Sequence, residues 1–165
     1  MKFSRWIVAA AMCMTAAAAW PSGRTIYPDS AAAHADIAAA LKTAAATHRR
    51  VLLDFGGNWC GDCIVLDMYL HNERNRPLLE ANYVLVRVNV GHLDENLDIA
   101  ARYQVPVAHG VPEVAVLSET GKLLYSSRTK ELELAVQRSD AAAVTRFLLQ
   151  WKPAKAGCSM MAVNC

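Results

Sequence analysis

The chain has 165 residues, enough for one domain with a substantial core. Its 17 basic and 15 acidic residues give a net charge of +2, with no basic stripe and no run of like charges. That balance excludes the electrostatic footprint of a nucleic-acid binder or of a protein held on an anionic surface.

The first residues read as a targeting segment. Lys2 and Arg5 precede an apolar stretch without charge, Trp6 to Ala19, that closes on Ala17-Ala18-Ala19. A basic start, an apolar run and small residues at its end describe a secretory signal peptide over residues 1–19. The run is shorter than the roughly 20 residues a membrane span needs. A retained anchor is the lesser alternative, and Met12 before Cys13 argues against lipidation there. Export to the periplasm or beyond sets an oxidising environment, in which disulfides persist. Loss of Lys2 and Arg5 with this segment would leave equal numbers of basic and acidic residues.

Residues 20–29 contain Pro21, Gly23 and Pro28 and read as a linker, with a short edge strand expected at Thr25–Tyr27. Asp29 or Ser30 then caps a helix reaching about Thr47, with Ile37, Leu41, Ala44 and Ala45 inward. His34 and His48 are expected in solvent without partners. Val51 to Phe55 is an apolar run suited to a central strand buried on both faces. Asp54 is its anomaly, because a buried carboxylate has a raised pKa and needs a reason to be there.

A helix follows from Cys60 to Leu70, then a polar break at His71–Pro77 and a helical turn at Leu78–Ala81. Tyr83 to Val90 is a Val- and Leu-rich strand. Asp94 to Tyr103 is expected as a helix with Leu97, Ala100 and Ala101 inward. Val105 to Pro112 is a breaker-rich loop. Glu113–Leu117 and Lys122–Ser126 flank a turn ending in Gly121 and form a hairpin. Lys130 to Arg138 is a polar excursion or short helix. Asp140 caps a last helix that buries Val144, Phe147, Leu148 and Trp151. Residues 30–151 thus form one α/β domain, a mixed central sheet with helices on both faces. Residues 152–165 read as a flexible tail.

The chemistry concentrates in Trp59-Cys60-Gly61-Asp62-Cys63, at the junction of strand, turn and helix. Free N–H groups and the positive end of the helix dipole stabilise a thiolate at the first turn. Cys60 is therefore the candidate nucleophile. Cys63, one turn on, can attack a mixed disulfide formed by Cys60. A structural zinc site needs more ligands, and the sequence has neither a second CxxC nor a His-x3–5-His pair. Asp62 beside the thiolate disfavours ionisation and partly opposes the dipole.

These residues resemble the thioredoxin superfamily: an acid-bearing strand, Trp59-Cys60-x-x-Cys63, then Gly110-Val111-Pro112 before a hairpin. The resemblance covers residues 30–151 and implies a thioredoxin-like fold. The segment between Cys63 and Tyr83 is similar to the periplasmic thioredoxin-like domains of membrane disulfide reductases. The resemblance implies that Cys60 attacks, that Cys63 resolves, and that Asp54 helps to deprotonate Cys63. It implies a cis peptide bond at Pro112 that offers the Val111 backbone to an extended substrate. Trp59 would shield Cys60 and form part of the substrate surface. The chain departs from the family at Asp62, where many members have proline. It departs also at Met68, near a kink proline, and in a longer loop whose His109 is placed to tune the thiolate or touch substrate.

Cys158 and Cys165 form a second pair in the tail. A small-loop disulfide, a free tail or a soft copper(I) site with neighbouring methionines all fit them. The reading as a whole is an exported thiol:disulfide oxidoreductase acting on protein disulfides, with Asp62 favouring a reductase over an oxidase. No resident metal is expected, and no NADPH or flavin, since no glycine-rich dinucleotide fingerprint follows a strand. A membrane protein or another thiol protein must then donate electrons, and a monomer is expected. The alternative is a metallochaperone on the same fold, holding copper through Cys60, Cys63 and either His109 or the tail.

Overall fold

The computed structural model describes residues 25–128 and 130–154. The expected signal peptide, the tail cysteines Cys158 and Cys165, and the start of the linker lie outside the described residues. In chain order the elements are α1 (Ala33–Thr47), β1 (Arg50–Gly56), α2 (Gly61–Leu70), α3 (Arg76–Asn82) and β2 (Tyr83–Asn89). Then come α4 (Leu97–Arg102), β3 (Glu113–Leu117), β4 (Leu123–Ser126), α5 (Glu131–Gln137) and α6 (Ala141–Gln150). No helix among the described residues is long and apolar enough to cross a membrane.

The sheet runs in the order β2-β1-β3-β4. β1 pairs parallel with β2 and antiparallel with β3, and β3 pairs antiparallel with β4. The parallel pair needs a crossover, which α2 and α3 supply. β1 is thus an inner strand, and its run of Val, Leu and Phe is buried on both faces as a two-sided layer demands. Val51, Leu53 and Phe55 join Ala115 and Leu117 in a core against α1 and α4. Leu52 joins Val114 and Val116 in a second core against α2, α5 and α6. Side chains alternate along a strand, so Asp54 takes the same face as Leu52, beneath α2. Arg87 lies opposite Asp54 in the β1–β2 register.

Side-chain caps start some of these elements. Asp29 accepts from the Ala31 N–H at 3.0 Å and starts a 3-10 turn, Ser30–Ala32, that leads into α1. Asp140 accepts from the Ala143 N–H at 3.0 Å and caps α6, whose Val144, Phe147 and Leu148 are buried. The breaker-rich loop contains a 3-10 turn at Val107–His109. The expected excursion or short helix at Lys130–Arg138 is helix α5, with Leu132, Ala135 and Val136 buried.

Several expectations are corrected. Thr25–Tyr27 is not a strand, and Tyr27 is 1 % exposed where a linker was expected. α4 begins at Leu97, not at Asp94, because Asn96 is left-handed (φ 52°) and cannot continue a helix backwards. Ile99 and Ala100 face inward, while Leu97 and Ala101 are exposed. In α1, Ala40 takes the inward place expected of Ala45. His34 and His48 are exposed but paired, His34 with Asp98 at 3.0 Å and His48 with Glu119 at 3.1 Å.

Candidate active site

The site is built where β1 ends and α2 begins. Cys60 has extended backbone and occupies the N-cap of α2. Its Sγ accepts a 3.1 Å hydrogen bond from the Cys63 N–H. An N-cap acceptor satisfies a helix amide that has no partner within the helix, and here the acceptor is the candidate nucleophile. In the oxidised state shown, Cys60 and Cys63 are joined by a disulfide (S–S 2.10 Å). Cys60 is 6 % exposed and Cys63 is fully buried, so the pair meets solvent through Cys60. That asymmetry leaves Cys60 as the sulfur an incoming disulfide can reach.

The loop before β3 closes over the pair. The Val111–Pro112 peptide is cis, and the Val111 carbonyl oxygen lies 3.6 Å from Cys60 Sγ. Val111 and Ile26 pack against a small cluster of Tyr27, Cys60 and Cys63. Trp59 stands beside this cluster, 49 % exposed. Its ring stacks on His92, with centroids 5.6 Å apart, and its Nε1–H donates to the Gly91 carbonyl. The indole is therefore a held surface platform rather than a core residue.

Asp54 is wholly buried. Burial pushes its pKa up to about 7, against the opposing effects of the Tyr27 hydroxyl and of Arg87, and Asp67 adds to the rise. Tyr27 Oη donates to Asp54 Oδ2 at 3.0 Å, while Oδ1 has no hydrogen-bond partner. Burial, and then the charge of Asp54, hold the Tyr27 phenol far above its usual range. Arg87 is ion-paired to Asp67, a buried residue of α2, which His71 also contacts at 3.2 Å. A buried carboxyl poised near neutrality on the strand face beneath α2 can take and return a proton.

Gly56 holds this space open. A Cβ there would lie 2.6 Å from Tyr27 Cζ and 2.8 Å from Cys63 Sγ. Tyr27 and Cys63 thus flank the same Cα, and only glycine leaves room for both.

The structure gathers Cys60, Cys63 and Val111 into one cluster, with Pro112 buried next to them and Asp54 joined through Tyr27. Asp62 is partly exposed in the first turn of α2. His109 is exposed at the end of its 3-10 turn, and its carbonyl accepts from Lys130 Nζ at 3.1 Å. No hydrogen bond joins Asp62 or His109 to either sulfur among the described residues. Glu113, directly after Pro112, is buried and accepts from Ser127 Oγ, and burial pushes its pKa up to about 7.

Sequence reasoning missed Tyr27, Asn58, His92 and the Arg87–Asp67 pair. Arg87 carried a signal, as a charge on the same strand face as Tyr83 and Leu85. Ile26-Tyr27 carried another, as bulky residues amid breakers.

The fold and the capped dithiol define a class, the thioredoxin-like proteins with a redox-active cysteine pair. Residues 32–118 match the model of the Thioredoxin-like family, and the chain belongs to it. A disulphide isomerase from Xylella fastidiosa Temecula1 is 31 % identical, with a TM-score of 0.72 over 78 % of this chain and 98 % of that one. A thioredoxin from Thermus thermophilus is 27 % identical, with a TM-score of 0.43 over 70 % of this chain and 89 % of that one. A structure described as DsbH oxidoreductase is 21 % identical, with a TM-score of 0.44 over 61 % of this chain and 81 % of that one. Comparison with curated protein sequences finds no match.

Proposed function

We propose that this protein is an exported thiol:disulfide oxidoreductase that reduces disulfides in protein substrates. The observation that carries the reading is Cys60 at the N-cap of α2, its sulfur accepting the Cys63 amide. Family membership and the likeness to a protein described as a disulphide isomerase support it.

In the reduced protein, the Cys60 thiolate attacks one sulfur of a substrate disulfide. The other substrate sulfur leaves as a thiolate and takes a proton from water. The Cys63 thiol passes its proton to ionised Asp54, and the Cys63 thiolate attacks Cys60 Sγ. The second substrate sulfur leaves and is protonated in turn. Two electrons have then passed to the substrate, and Cys60–Cys63 is a disulfide. The Val111 backbone pairs with the extended substrate, Pro112 holds that loop in place, and Trp59 adds apolar contact. A membrane protein or another thiol protein returns the electrons.

Asp62 supports the reductive direction, because its carboxylate works against an extremely acidic Cys60. A secretory leader at residues 1–19 places the work in the periplasm or outside the cell. The alternative, a copper site of Cys60 and Cys63 with His109 or the tail, is tested by metal analysis of the freshly reduced protein: stoichiometric copper without disulfide exchange would favour it.

Insulin reduction by dithiothreitol tests the activity. The wild type accelerates it and Cys60→Ser falls to the uncatalysed rate; equal rates for the two overturn the reading. The reduction potential of the pair tests the direction. A value more negative than the roughly −180 mV of protein disulfide isomerase supports a reductase, and a value near the −120 mV typical of a strong oxidant contradicts it.

A further inference from the structure

Tyr27 comes from a stretch that composition marks as a connector, yet it is among the largest fully buried side chains. Three hydrogen bonds fix the backbone of Ile26 and Tyr27 to Asn58, in the turn just before Cys60. Asn58 Oδ1 accepts from the N–H of Ile26 at 2.8 Å and of Tyr27 at 3.0 Å, and Asn58 Nδ2 donates to the Tyr27 carbonyl at 2.9 Å. The same turn that presents the nucleophile thus clamps the tyrosine. Its ring packs with both cysteines, and its hydroxyl reaches Asp54 past Gly56.

We propose that Tyr27 is a positioning residue for the dithiol, its hydroxyl holding the Asp54 carboxyl in place and stabilising the ionised form that receives the Cys63 proton. The inference rests on the reading of Asp54 as the proton acceptor. The geometry assigns two distinct jobs to one side chain. The ring keeps water from a carboxyl that would otherwise ionise readily, and the hydroxyl supplies one oriented donor to Oδ2. Oδ1 is left with its acceptor capacity unused, on a strand face that lies beneath Cys63. Besides Tyr27, two charged groups bear on Asp54 from the elements around it, Arg87 on β2 and Asp67 on α2, and Cys63 Sγ lies over Gly56, two residues along the same strand face. Its antiparallel partner on β3 is Val114, which carries no charge.

Tyr27→Phe keeps the ring and removes the donor. The Asp54 titration midpoint, followed by carbon NMR of its side-chain carboxyl, then rises by about half to one pH unit. The acid-side limb of the insulin-reduction profile, where the rate rises as Asp54 ionises, moves up with it. Tyr27→3-fluorotyrosine, placed by codon suppression, makes a stronger donor of the same shape and moves the midpoint down. A merely structural role for the ring predicts no opposed shifts from two side chains of nearly equal size. Midpoints unchanged in both variants, or moved in the same direction, overturn the proposal. Asp54→Asn separates the two layers of the argument. If it leaves the pH–rate profile unchanged, the reading of Asp54 as proton acceptor fails. If it slows turnover while Tyr27→Phe leaves both midpoint and profile at wild type, the Tyr27 proposal alone fails.

Discussion

The N–H of Cys63 points at the sulfur of Cys60 from 3.1 Å, across the first turn of α2. On the proposed mechanism the same amide faces the Cys60 thiolate of the reduced protein, so the nucleophile has a backbone donor before the Cys63 side chain takes part in chemistry. Backbone donors need no reorganisation when charge develops, so the turn is set for thiolate formation in advance.

Burial of Asp54 carries a stability cost with a defined pH window. Its folded pKa of about 7 stands above the ordinary 3.8, so the folded state binds the proton more tightly than the unfolded one. Below the ordinary value both states are protonated and nothing is lost. As pH rises from about 4 to 7, the folded state is progressively penalised, and above 7 the penalty is complete. Asp54→Asn should therefore stabilise the protein by on the order of 2–4 kcal/mol at pH 8 and by little at pH 4. Urea unfolding at the two pH values measures this. Glu113 has the same sign of shift, but it is present in both proteins and cancels from the comparison.

Trp59 is a surface group, so its removal should separate binding from folding. Trp59→Ala loses the His92 stack and the bond to Gly91, costing about 1 kcal/mol of stability or less. With insulin as substrate, KM should rise about threefold or more while kcat changes little, as for a contact that binds without reacting. Turnover of a small aromatic disulfide should stay within about twofold of wild type, since it does not reach the platform. A large loss with the small substrate would show that the indole acts on Cys60 itself.

Gly56→Ala tests the crowding between Tyr27 and Cys63. The added methyl has no free space, and β1 is fixed by ladders on both sides. Overpacking of this kind costs about 1–3 kcal/mol. The urea midpoint should drop and insulin reduction should slow together. A variant with unchanged midpoint and rate would mean that the segment carrying Tyr27 can yield without consequence.

The central sheet and the dithiol could be read from the sequence because both are local. Val51–Phe55 is a continuous apolar run, α6 repeats its apolar residues at helical spacing behind an Asp cap, and Cys60 and Cys63 are one turn apart. Asp54 was visible as a charge where none should be. Its partners were not, because they arrive from elsewhere. Tyr27 sits in a proline-rich stretch with no periodicity, and its place is fixed by Asn58, 31 residues away. The Arg87–Asp67 pair joins a strand to a helix 20 residues apart. His92 pairs with Trp59 through a loop whose left-handed residues, Gly91 and Leu93, set a path that no apolar pattern encodes. The start of α4 was misplaced for the same reason, since left-handed Asn96 leaves no mark on hydrophobic spacing.

Alkylation of the fully reduced protein with iodoacetamide across pH 4–10, read out by peptide mass mapping, addresses the dithiol directly. The account predicts that Cys60 is modified first, with a midpoint below the roughly 8.5 of a free cysteine, while Cys63 is protected by burial. Faster labelling of Cys63, or a Cys60 midpoint at or above that of a free cysteine, would contradict it.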